Sequence, residues 1–99
     1  MDDGESALPG ADLIQTGLAA RARGESTIEA LLIAIGAPRL RALGVLPADD
    51  MPDRAEPELA LYRALGELYP HDTHSRYNAL IRRMVSFERA LECRRGRKV

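Results

Sequence analysis

The residues from Ser26 to Pro38 constrain this chain more than any others. Ile28, Leu31, Leu32 and Ile35 recur at i, i+3, i+4 and i+7, which is one face of an α-helix. Ala30, Ile33 and Ala34 make the other faces apolar as well. A helix that is apolar nearly all round has to sit in the middle of a small protein, with partners on several sides. The uncharged stretch Ala30 to Pro38 is the longest in the sequence, and it falls far short of the roughly 20 residues that cross a bilayer. The other elements must therefore surround it.

Ser26 and Glu29 have the spacing of a capping box and predict the start of this helix. Gly36 predicts its end, and Pro38 can open a short third helix at the first-turn position, where the missing N–H costs nothing. That short helix carries Arg39, Leu40, Arg41 and Leu43, and Gly44 closes it.

An earlier helix is marked by Leu13, Ile14, Gly17 and Leu18, with Gly24 placed as a left-handed C-terminal cap. Val45 to Glu56 holds three aspartates and two prolines without an apolar period, and reads as a loop. Pro57 starts a fourth helix with the stripe Leu61, Tyr62, Leu65, Leu68 and Tyr69, and Pro70 stops it. The fifth begins at Asp72 or Thr73. Tyr77, Leu80 or Ile81, Met84, Phe87 and Leu91 then recur at close to heptad spacing over about twenty residues, roughly 30 Å.

No run alternates with period two. The fold class is all-α, a compact bundle of four to five helices with a long C-terminal helix and mobile termini. Residues 1–10 read as a flexible tail, 11–93 as a single helical domain and 94–99 as a basic tail. A chain of 99 residues buries roughly 60–70% of its unfolded surface, enough for one core.

Thirteen of the fourteen basic residues are Arg, and Ala and Leu occur fifteen and fourteen times, which reads as a GC-rich, bacterial coding background. Charge placement carries more information than the net charge of −1. Residues 73–99 hold eight basic groups against Glu88 and Glu92, a local charge of +6, and the preceding residues carry −7. The acidic N-terminus has no signal-peptide pattern, and a single cysteine, Cys93, makes no internal disulfide. Both fit the reducing cytoplasm.

Several constellations are candidates for function. Residues 26–44 resemble a degenerate helix-turn-helix with Gly36 at the turn and Arg39 and Arg41 exposed for base reading. The plain alternative is a helical hairpin. Two features depart from the motif: Leu32 stands where alanine is usual, and Gly44 shortens the second helix. Arg82, Ser86, Arg89 and Cys93 form one stripe of the last helix, and with Arg94, Arg95, Arg97 and Lys98 they make a basic edge suited to phosphates. Its plain alternative is a solvated helix end whose cations favour the macrodipole.

His71, Asp72 and His74 lack a third and fourth metal ligand nearby, since Asp72 reads as a helix cap. The acidic run Asp49, Asp50, Asp53, Glu56 and Glu58 lacks the spacing of a calcium loop. Cys93 has no base or orienting partner in sequence, and no nucleophile elbow or phosphate loop occurs. These observations lead to the expectation of no catalytic residue, metal, cofactor or small-molecule substrate.

The leading expectation is a small non-catalytic interaction module, a cytoplasmic regulator or adaptor. It binds another protein or a second copy of itself through the C-terminal helix, with Tyr77, Met84 and Phe87 as contacts. The alternative is a nucleic-acid-binding accessory protein using the arginine-rich helix and tail.

Overall fold

A computed structural model describes residues 7–46 and 56–96. Among these residues there are four helices and no strand: α1 (Ala11–Ala22), α2 (Ile28–Ala42), α3 (Pro57–Leu68) and α4 (Thr73–Gly96). Residues 1–6 and 97–99 of the tails expected at 1–10 and 94–99, and most of the expected loop, lie outside the described residues.

The punctuation read from the sequence works at most boundaries. Gly24 has φ +74°. Its amide donates to the Arg21 carbonyl at 3.0 Å, and the Glu25 amide donates to the Ala20 carbonyl at 2.9 Å. This is a Schellman ending, which satisfies two helix carbonyls and needs the left-handed conformation that glycine tolerates. Gly44 closes α2 in the same way, with Val45 donating to the Leu40 carbonyl at 2.9 Å. Pro57 occupies the first turn of α3, and Tyr69 leaves the helical conformation just before Pro70. At the head of α4 the Thr73 hydroxyl donates to the Tyr69 carbonyl, and the Arg76 amide donates to the Asp72 carbonyl.

Two expectations about α2 are corrected. Its cap is Thr27, whose hydroxyl accepts from the Ala30 amide at 3.1 Å, not Ser26 with Glu29. More consequentially, the second and third expected helices are one helix, with Pro38 inside it. Gly36 is not a turn. It is helical and buried, and an added Cβ would stand 2.5 Å from the Met84 sulfur on α4. Pro38 removes one backbone hydrogen bond but lies on the exposed side. Burial of Leu31, Leu32, Ile33, Ala37 and Leu40 outweighs that local loss.

As expected, α2 is central and packs against the other three helices. Gly17 lets α1 approach it, since a Cβ there would lie 2.5 Å from Ile33 Cγ1 and 2.6 Å from the Glu29 carbonyl oxygen. One hydrophobic cluster joins all four helices, with Phe87, Ile14, Leu32, Ile33, Leu40, Leu61, Leu65 and Leu91 at its centre.

Candidate functional site

The three residues expected to contact a partner are placed differently from the surface role assigned to them. Phe87 is 0% and Met84 4% exposed, both inside the chain's own core, while Tyr77 is half-buried. A heptad-spaced seam on α4 exists, but α2 and the segment before α1 cover it. The Gly36 gap takes the Met84 sulfur, and Gly10 lies against the Arg83 carbonyl and Phe87 Cβ.

Apolar surface appears instead on α3 and the corner that follows it. Leu59 (41% exposed), Tyr62 (40%), Leu68 (61%) and Tyr69 (36%) are the large apolar side chains left open among the described residues. Leu68 continues the buried Leu61–Leu65 stripe beyond the core. The Tyr62 ring meets Tyr77 edge-on at 5.6 Å and His74 at 6.5 Å. The Arg76 guanidinium covers the Tyr69 ring at 3.6 Å, a cation–π contact that fixes the ring's outer edge. Between this corner and the start of α2 runs an open groove of 290 Å³, with Ile28, Leu65 and Leu80 among its walls and Tyr69 and Arg76 at its rim. Burial, and then the Glu58 carboxylate, push the Tyr77 hydroxyl above its ordinary pKa, so it stays a neutral donor at the edge of the aromatic group.

The basic candidates divide into two sets. Arg82, Ser86, Arg89 and Cys93 are all exposed on the outer face of α4, and Arg82 and Arg89 make no ion pair among the described residues. Arg83 is drawn off that face by Asp12 of α1 at 3.2 Å. Arg94 and Arg95 belong to the helix, which runs on through Gly96, and they are half-buried and engaged. Arg97 and Lys98 lie outside the described residues.

The turn expected at Gly36 is absent, since α2 runs on through Pro38, and Arg39 and Arg41 lie in its last turn. Arg39 is bonded to Glu92 and stands 3.9 Å from Glu88, tying α2 to α4. Arg41 is half-buried and engaged.

His71 and His74 are exposed, and the His74 Nε2 is 3.1 Å from the Asn78 amide nitrogen. Among the described residues no three His, Cys, Asp or Glu side chains converge as a metal site would require. Asp49, Asp50 and Asp53 lie outside those residues. Cys93 and His74 are nineteen residues apart on one helix, about 28 Å, and cannot form a nucleophile–base pair within the chain.

The sequence reading missed Glu88, which is 4% exposed. The signal was present: Met84, Phe87, Glu88 and Leu91 follow i, i+3, i+4 and i+7, and the carboxylate occupies an apolar position in that stripe. No helix is long and apolar enough to cross a membrane among the described residues. Compared with protein-family models, curated proteins and solved structures, the chain matches none.

Proposed function

We propose that this protein is a small non-catalytic helical module that binds another protein through the outer surface of α3 and the α3–α4 corner. The observation that carries the reading is the exposure of Leu59 and Tyr62 along α3 and of Leu68 and Tyr69 at its exit. Tyrosine and arginine are favoured at protein interfaces because each combines a large apolar surface with directional polar groups. Tyr62 and Tyr69 are already held by Tyr77 and Arg76, so little side-chain freedom remains to be lost on binding.

The test compares the wild type with a Leu59→Ser/Leu68→Ser variant. Both positions are open to solvent, and stability should change by only about 0.5 kcal/mol. Proteins cross-linked to the wild-type chain in cells and lost from the folded variant would support the reading. Identical cross-linked sets would overturn it. Sedimentation of the purified chain separates self-association from binding of a different protein.

The Arg82–Arg89 stripe, which makes no ion pair among the described residues, supports a second reading, nucleic-acid binding along the outer face of α4. It requires steep weakening with salt, because every phosphate neutralised releases counterions. An Arg82→Gln/Arg89→Gln variant tested with random duplex and single-stranded nucleic acid addresses this reading separately.

A further inference from the structure

Glu88 has no place in either reading, yet it occupies the most demanding position on α4. Its Oε2 is buried without a hydrogen-bond partner. Its Oε1 lies 3.9 Å from Nε of Arg39 on α2, at the edge of ion-pair range. Arg39 is half exposed and bonded to Glu92, one turn further along α4. Across the seam is Gly36, where an added Cβ would stand 3.3 Å from Glu88 Oε2 and 2.5 Å from the Met84 sulfur. The carboxyl group is thus wedged between α2 and α4 beside Gly36, and the Arg39 guanidinium near it is shared with Glu92. A buried carboxylate in that position loses its hydration without full compensation.

We propose that Glu88 acts as a pH-governed latch between α2 and the C-terminal half of α4. In its neutral form it leaves the seam closed. Ionised, it favours opening of the segment from Met84 to Gly96, because leaving the seam restores water to the carboxylate. Opening would uncover Phe87 and Leu91, both 0% exposed in the closed form, together with Met84.

The charged groups around Glu88 support this direction. Arg39 faces it from α2, and Glu92 on α4 competes for that guanidinium. From α1 the charge brought to α4 is Asp12, taken up by Arg83. The Arg95 guanidinium packs by Gly44 at the exit from α2 and is itself engaged. Burial pushes the Glu88 pKa up and Arg39 pulls it down, with burial the larger effect. A carboxyl raised in the folded state contributes stability that is complete below its unfolded pKa and is lost as pH rises through its folded pKa. The seam should therefore be tightest in mild acid.

Hydrogen exchange of the full chain at pH 5 and pH 7.5, corrected for intrinsic rates, reads the opening directly. In the wild type, amides of residues 84–96 should lose protection at the higher pH by on the order of tenfold, while α1 and α3 change less. Glu88→Gln should hold the mild-acid level at both values, since its amide is isosteric and carries no charge. The same pH dependence in wild type and variant would overturn the proposal, as would stronger wild-type protection at pH 7.5. If Glu88→Gln does not fold, Arg39→Met serves in its place. Removing the guanidinium should widen the difference between the two pH values, and an equal or smaller difference would overturn the latch. This inference does not depend on which partner the α3 surface binds.

Discussion

At Gly17 an added Cβ would lie 2.6 Å from the Glu29 carbonyl oxygen, a backbone atom that can move only if α1 and α2 separate. Alanine is ordinarily the better helix former by about 1 kcal/mol. Here the steric cost should win, and Gly17→Ala should destabilise the protein by about 1–3 kcal/mol, the usual range for overpacking. Gly24 fails for a different reason. Nothing stands within 4 Å of an added Cβ, but φ is +74°. Gly24→Ala should cost about 1–2 kcal/mol through backbone strain alone, and Gly24→Asn should recover most of it, because asparagine tolerates the left-handed region. Urea midpoints of the three variants test this contrast. A destabilised Gly24→Asn variant equal to Gly24→Ala would show that strain is not the cause.

At the scale of elements, the continuity of α2 makes a sharp forecast about Pro38. If Pro38 opened a separate helix, its missing N–H would be harmless and Pro38→Ala would bring no gain. Inside one helix, alanine restores a hydrogen bond and relieves the clash with the preceding turn, a difference of about 3 kcal/mol in exposed helix interiors. The stiffer unfolded chain of the proline protein offsets roughly 0.4–1 kcal/mol of that. Pro38→Ala should therefore stabilise the protein by about 2 kcal/mol, read as a higher melting temperature and denaturant midpoint. Thr27→Ala should cost about 1 kcal/mol through the lost cap, and Ser26→Ala should be close to neutral. The same comparison explains what the sequence made legible. The stops at Gly24, Gly44 and Pro70 and the start at Pro57 depend on chemistry within a few residues, and the residues alone reveal them. Gly36–Ala37–Pro38 has the local look of a break, but burial against Met84, remote in sequence, overrides it. For the α4 seam, heptad spacing shows that Met84, Phe87 and Leu91 are covered, without showing whether the cover comes from α2 or from another chain. Leu68 shows the converse: its spacing continues a core stripe, yet the core ends before it.

On the scale of the whole molecule, the acidic body and the basic end meet at one pair among the described residues, Asp12 with Arg83. Glu92 of the basic end reaches back to Arg39, a cation of the acidic body. These two contacts hold α1 and α2 to α4, and only the first of them draws on the charge asymmetry along the sequence. Arg82 and Arg89 remain on the outer face, about 10 Å apart along the helix. Their spacing permits two phosphate contacts. Each neutralised phosphate contributes about −0.9 to the slope of log K against log salt for duplex DNA, so this stripe alone would give a slope near −2. That is the slope of weak, non-specific attraction. A nucleic-acid function therefore needs further cations, with Arg94, Arg95, Arg97 and Lys98 joining the stripe and the slope reaching about −4 or steeper. Titrating labelled random duplex across a range of salt concentrations distinguishes the cases. We expect a slope no steeper than about −2, abolished by Arg82→Gln/Arg89→Gln and unchanged by Leu59→Ser/Leu68→Ser. A slope of −4 that shrinks when residues 97–99 are removed would instead make the basic end the functional surface and α3 a bystander.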